Sequence, residues 1–386
     1  LGTAYIIEAV RTAGGRRKGA LSGIHPVDLG AIVLNALVER SGIDPAVIDD
    51  VIMGCVTQAG EQSFAFARNC VLASILPDSV PAVTIDRQCG SSQQSVQFAA
   101  QAVMSGTQDV VIAAGTESMT RVPMFSNRAL HDEAGIGEGP FPRSLLDRYG
   151  VANFSQFTSA QMMADKYGFS REQLDAFALE SHRKAAIAQD VGAFTSEILP
   201  VETDEGPLRI DQGVRRDTTL EKLASLKPLE EGGSITAGNA SQVSDGSSGV
   251  LVASERAVRD YGLAPIARVH QFLVSAGNPV LMLEEPIFGT RKALEKAGLS
   301  LSDVALYEVN EAFASVPMAW LQALDADPAR LNVHGGAIAL GHPLGASGTR
   351  LMTTLIHALR RRGERYGLQA MCEGGGIANV TIVEAL

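Results

Sequence analysis

Short apolar runs alternate with amphipathic stretches along the first third of the chain. Ala4–Val10 predicts a first strand. Between Asp28 and Ser41, Leu29, Ile32, Val33, Ala36 and Leu37 recur at helical spacing, and Gly42 closes the stretch, so a helix is expected there. Asp50–Val56 predicts a buried strand, Gln62–Leu76 a helix of small and apolar residues, and Val80–Ile85 another strand. Val96–Met104 is alanine-rich and helical in pattern, stopped by Gly106, and Asp109–Ala114 is again continuously apolar. Such strands, separated by helices, predict a sheet covered on both faces.

The texture changes near Thr116. Residues 120–160 are rich in Gly, Pro, Ser and Arg, 161–192 read as helical, and 200–235 are charged and irregular. That is too long for a simple loop and predicts an inserted lobe. Order returns at T-A-G-N-A-S (236–241) and at the strand-like Gly249–Ala253. The chain therefore divides into 1–117, an inserted domain with its return over 118–245, and 246–386. The last part repeats the grammar of the first. Asp28–Val56 reads helix, S-G-I-D, then D-D-V-I-M-G-C; Phe288–Asn310 reads helix, A-G-L-S, then S-D-V-A-L-Y-E-V-N. The helix starts at Cys89–Met104 and Gly345–Leu359 correspond, as do the strands Asp109–Ala114 and Gly367–Cys372, the latter followed by Asn379–Glu384. A duplicated α/β architecture is expected.

Composition narrows the function. At 386 residues and 46% hydrophobic, the chain has ample material for more than one core. The formal charge of −11 argues against broad nucleic-acid binding. No run of eighteen apolar residues predicts a membrane span, and no signal-peptide pattern is visible. Four widely spaced cysteines, Cys55, Cys70, Cys89 and Cys372, fit reduced thiols in a cytoplasm, not a disulfide framework or a zinc site.

In open α/β sheets, sites form where strand ends meet helix starts. Four motifs fall at such corners: Q-C-G-S-S from Gln88, E-V-N-E-A-F from Glu308, G-G-A-I-A-L-G-H-P-L-G-A-S-G from Gly335, and C-E-G-G-G from Cys372. At the first, unpartnered N–H groups and the helix dipole would favour a Cys89 thiolate, and Gly90 would let a substrate approach. The third lacks the lysine of a phosphate loop and the order of a dinucleotide fingerprint. It offers His342, held between glycine and proline. Each motif alone also reads as structure: a buried cysteine, a core histidine, a strand-end cap at Asn310–Glu311. Together, one thiolate, one imidazole and a second thiol suit acyl transfer, with glycine N–H groups available to an oxyanion.

These motifs, with V-R-T near the start, G-T-E-S-M and T-A-G-N-A-S, make the whole chain resemble the thiolases. The resemblance implies the thiolase fold, α/β in five layers αβαβα, built from two duplicated halves with an inserted loop domain, in a homodimer or homotetramer. It implies Cys89 as the acylated nucleophile and His342 as its base. Cys372 would protonate the leaving acetyl-CoA enolate and then deprotonate incoming CoA. Asn310 would hold a water that, with His342, forms one oxyanion hole; the N–H groups of Cys89 and Gly374 would form another. Ser241 and Ala237 match positions along the pantetheine arm, Arg215 falls near an adenine-contacting arginine, and Phe313 and Met124 read either as acyl-pocket lining or as plain core. Acyl-CoA is the implied substrate and coenzyme A the co-substrate, with no metal and no permanently bound cofactor. Phe154–Ser155–Gln156–Phe157 replaces the His-Met-Gly of short-chain acetoacetyl-CoA thiolases, the Cys89 loop continues S-S-Q-Q, and Glu373 stands where an aliphatic residue is common. That combination looks most like degradative 3-ketoacyl-CoA thiolases of actinobacterial type, some acting on steroid side chains. The alternatives are a condensing acetoacetyl-CoA thiolase, a ketoacyl synthase, against which Cys372 argues, and a non-catalytic acyl-CoA or sterol carrier.

Overall fold

A computed structural model describes residues 2–386. The first half opens with β1 (Ala4–Thr12) and α1 (Pro26–Ser41), whose first turn is capped by His25 accepting the Val27 N–H at 3.2 Å. Next come β2 (Asp50–Gly54), α2 (Phe66–Leu72), β3 (Ala82–Ile85), α3 (Ser91–Ser105) and β4 (Val110–Ser118). The helix expected over 62–76 is shorter, because Phe64 and Ala65 adopt left-handed backbone (φ 57° and 56°) that interrupts it. Period-2 alternation sorts β4 between two cores: Val110, Ile112 and Ala114 pack under α1, while Val111 and Ala113 face the molecular centre.

The lobe carries α4 (Ser126–Glu133), α5 (Arg143–Tyr149), α6 (Gln156–Tyr167), α7 (Arg171–Asp190) and α8 (Leu220–Ala224). The single helical stretch expected over 161–192 is two helices, broken at Gly168 (φ 74°) and restarted by a capping box between Ser170 and Gln173. Buried Arg11 of the V-R-T motif fastens the lobe to β1. Its guanidinium donates to Glu197 at 2.6 Å and to both oxygens of Asp211 at 2.7 and 3.0 Å.

The chain returns in β5 (Ser244–Ser254), which runs antiparallel between β4 and β1. The boundary expected between residues 245 and 246 thus falls inside a strand of the first half. After α9 (Glu255–Asp260) the second half follows: β6 (Ala267–Ala276), α10 (Glu285–Ala297), β7 (Leu306–Val309), α11 (Ser315–Leu324), α12 (Ala337–Leu340), α13 (Ser347–Arg362), β8 (Tyr366–Glu373) and β9 (Ile377–Ala385).

Strand order shows the duplication. The first half reads β3-β2-β4-β5-β1, with β5 antiparallel to both neighbours; the second reads β7-β8-β9-β6, with β9 antiparallel to both. The counterpart of β3 is reduced to one parallel bridge between Tyr307 and Leu331. The sheets meet where Tyr5 and Ile6 pair with Arg268 and Ala267. Helices α3 and α13 pack between them, α1 and α2 cover one outer face and α10 the other, giving five layers αβαβα. The middle is a close-packed core that includes Val96, Ala100, Met352 and Leu355. Among the described residues, no helix is long and apolar enough to cross a membrane.

Candidate active site

Cys89 sits where β3 turns into α3, as the pattern predicts. The turn is tightly tied: Gln88 donates its N–H to Asp86 at 2.7 Å, Arg87 donates its N–H to the Ser91 hydroxyl at 2.9 Å, and that hydroxyl donates to the Gln88 carbonyl at 2.6 Å. Gln88 takes a left-handed conformation (φ 48°), a sparsely populated geometry for a non-glycine residue. The sulfur packs with Val56, Met119, Leu344, Leu351 and Met371, with Met124 and Val243 at the margin. Burial pushes the thiol up to about 12, and nearby Glu373 adds to the effect. The resting group is therefore a thiol. Desolvation acts against the thiolate that the helix end was expected to favour.

His342 is also buried. Its Nδ1 lies 2.5 Å from the Ser347 hydroxyl, which itself donates to the Pro343 carbonyl at 2.8 Å. With that proton committed, Nδ1–H donates to Ser347 and the lone pair falls on Nε2. The Asn310 amide points its Nδ2 at Nε2, 3.3 Å away. Burial, then the charge of Arg350, push the imidazolium down to about 3, so the ring is neutral at ordinary pH and Nε2 can take a proton.

Cys372 is the penultimate residue of β8, beside the same turn. Its thiol is raised well above the usual range by burial first, then by Cys89. A Cβ placed on Gly374 would lie 3.0 Å from Gln88 Oε1, so the C-E-G-G-G turn leans on the residue preceding Cys89. Cys89, Cys372 and Gly374 thus come together from opposite halves. His342 and Asn310 are bonded to each other and joined to this group through Leu344, which packs in the Cys89 cluster.

The other expected positions divide. The Ser241 N–H donates to the Ala312 carbonyl at 2.9 Å and Ala240 bridges Phe313, so T-A-G-N-A-S lies along N-E-A-F, with Ala237 exposed at its tip. Phe313 is 3% exposed and packs edge-to-face on Phe157 at 5.8 Å, within a core shared by the lobe and the second half that also includes Cys372. Arg215 is exposed on the lobe, where its N–H donates to His182 at 3.2 Å.

Three groups position the site; Glu117 and Ser347 were not singled out from sequence, and Glu311 was read there as a strand-end cap. Buried Glu117 accepts the N–H groups of Val56, Thr57 and Gly345 and the Gln62 amide, at 2.8–3.0 Å. It clamps the His342 loop of one half to the other. Glu311 accepts from Ser181, Asn332 and the Ile338 N–H at 2.7, 2.9 and 3.1 Å, fixing the start of the same loop. Ser347 is the third. For Glu117 the usable signal was an acid inside an apolar strand; for Ser347 there was none beyond its nearness to His342.

Two buried thiols and a neutral imidazole are drawn from both halves of a duplicated α/β fold, and that fold and its motifs are those of an acyltransferase class. The chain belongs to the thiolase family: the thiolase N-terminal domain matches residues 4–256 and the C-terminal domain residues 263–385. It is 53% identical over 385 residues to the steroid 3-ketoacyl-CoA thiolase FadA6 of Mycobacterium tuberculosis, covering 99% of this chain and 94% of that one. It is 40% identical to a 3-ketoacyl-CoA thiolase of Bacillus subtilis, covering 99% of each. The crystal structure of the Bacillus anthracis acetyl-CoA acetyltransferase is similar with a TM-score of 0.90 at 36% identity, covering 100% of this chain and 99% of that one.

Proposed function

We propose that this protein is a degradative 3-ketoacyl-CoA thiolase acting on substrates larger than acetoacetyl-CoA. The observation that carries the reading is that Cys89 and Cys372 lie against each other across the two halves, with Gly374 against Gln88 and a hydrogen-bonded His342–Asn310 pair two residues from Leu344, which packs on Cys89. Cys89 Sγ attacks the 3-keto carbon while His342 Nε2 takes the thiol proton. Because thiol and imidazole are both neutral at rest, that proton moves only as the new C–S bond forms. The oxyanion is met by the Cys89 and Gly374 N–H groups or by His342 and an Asn310-held water. The C2–C3 bond then breaks, and Cys372 protonates the departing enolate, leaving acyl-Cys89 and acetyl-CoA. The Cys372 thiolate takes the proton of incoming coenzyme A, whose sulfur collects the shortened acyl group, and Cys89 leaves, taking back the proton held by His342. In this reading Ser241 and Ala237 border the pantetheine arm and Arg215 reaches the nucleotide. No resident cofactor takes part.

A cytoplasmic setting accords with four free, buried cysteines. Exposed Phe64 (91%), Leu72, Ile75 and Val83 cluster on α2, its flanks and edge strand β3, which supports a homodimer or homotetramer, read by light scattering.

The test is thiolysis with free coenzyme A, following loss of the 3-ketoacyl-CoA enolate absorbance for four-carbon, long-chain and steroid-ring substrates. Preference for the larger substrates is expected; preference for the four-carbon one turns the assignment toward an acetoacetyl-CoA enzyme. Cys89→Ala is expected to lower turnover by about 10,000-fold or more while remaining folded by circular dichroism. Full turnover by that variant removes Cys89 from the reaction.

A further inference from the structure

Glu373 follows Cys372 at the end of β8, paired across to Ile377 of β9. It is fully buried, and neither carboxyl oxygen has a hydrogen-bond partner among the described residues. The side chain reaches the start of α3: a Cβ placed on Gly90, the residue between Cys89 and that helix, would overlap the Glu373 carboxyl. One unpartnered carboxyl therefore lies against the turn that carries one reactive sulfur and is covalently adjacent to the other.

Its surroundings do little to hold a charge. Arg87 and Asp86, from the loop before Cys89, act in opposite directions. On β9 the Asn379 N–H, outside hydrogen-bonding geometry to the carboxyl, favours the ionised form, and α3 has no charged residue along its length. Burial is the largest influence and favours the protonated acid. An ionised Glu373 opposes a thiolate at Cys89 and at Cys372 alike.

We propose that Glu373 is a positioning residue whose uncharged carboxylic acid form favours a thiolate at either sulfur, so that its ionisation makes each thiolate about tenfold harder to form. This rests on Cys89 and Cys372 being the reacting pair. The change is loss of the carboxyl proton to solvent base; no other bond is made or broken. Below that ionisation Cys89 gives up its proton against a neutral neighbour. Above it, the same step creates two buried negative charges side by side.

The test is peptide-resolved alkylation of Cys89 by iodoacetamide in the whole protein from pH 6 to 10, compared with Glu373→Gln. In the native protein the logarithm of the rate is expected to rise about one unit per pH unit, flatten where Glu373 ionises, then rise again. In Glu373→Gln the rise is unbroken and ends about tenfold above the native rate. The Cys372 peptide shows the same offset. Parallel profiles in the two proteins overturn the proposal. If Glu373→Gln does not fold, the native profile decides alone, and an unbroken rise overturns it. Alkylation is read without turnover. A broken profile in a protein that fails thiolysis keeps this inference and sinks the thiolase reading, and an unbroken one in an active enzyme does the reverse.

Discussion

At the scale of single residues, the site depends on where protons are kept at rest. His342 is neutral because burial expels its charge, and Ser347 decides which ring nitrogen carries the hydrogen. Removing that hydroxyl by Ser347→Ala leaves the ring in place but frees its tautomer. Acylation of Cys89 should slow about 10–100-fold with little change in KM. Single-turnover kinetics will read this, and an equal rate would mean that Asn310 alone sets the tautomer. Burial likewise favours the neutral thiol at both Cys89 and Cys372. The helix start singled out Cys89 in the sequence, and burial there works against the thiolate that a helix start favours. The depth of the sulfur, and the carboxyl of Glu373 beside it, depend on a strand 284 residues further along, counted from Cys89 to Glu373.

At the scale of elements, α3 and α13 cross at the centre, with the Gly348 backbone against the backbone of Gln93. A methyl group at Gly348 has no flexible side chain to displace. Gly348→Ala should therefore force the helices apart and cost about 3 kcal/mol or more, measured by urea unfolding. A loss below about 1 kcal/mol would show that the crossing can slide. These helices were legible from sequence because glycine, apolar runs and helix starts punctuate both halves in the same order. The third strand of the second half was not, since one bridge at Leu331 leaves no periodic signal. The left-handed pair Phe64–Ala65 also went unread, as neither residue type announces that conformation. Cys89, His342, Asn310 and Cys372 stood out by residue type at element corners. Glu117 and Glu311 did not, because their value lies in loops that each draws in from far along the chain.

Across the whole molecule, buried charge links the halves to the lobe. Arg11 joins Glu197 and Asp211, while Arg350 and Glu308 lie nearby without a direct ion pair between them. Glu308 is pushed up to about 8, by burial first, offset in part by Arg350. An unfolded glutamate ionises near 4.3, so between about pH 4.3 and 8 the folded chain binds the extra proton. Stability should fall as pH rises through that window and level off above it. In Glu308→Gln this slope should flatten, with a gain of about 1 kcal/mol or more at pH 8. Denaturant midpoints at pH 5, 6.5 and 8 would test it, and an unchanged slope would assign the pH dependence to other groups.

The connection 255–266 runs over the surface between two sheets that share their central helices but meet edge to edge at just two residue pairs. One sulfur lies before that connection and the other after it. A chain opened at Tyr261–Gly262 would give two polypeptides, neither able to turn over substrate, each exposing an apolar inner face. Made together in one cell, they should find each other and regain thiolysis; mixed after separate purification, they should aggregate first. The enzyme could then serve as a co-expression sensor whose signal is the product acetyl-CoA.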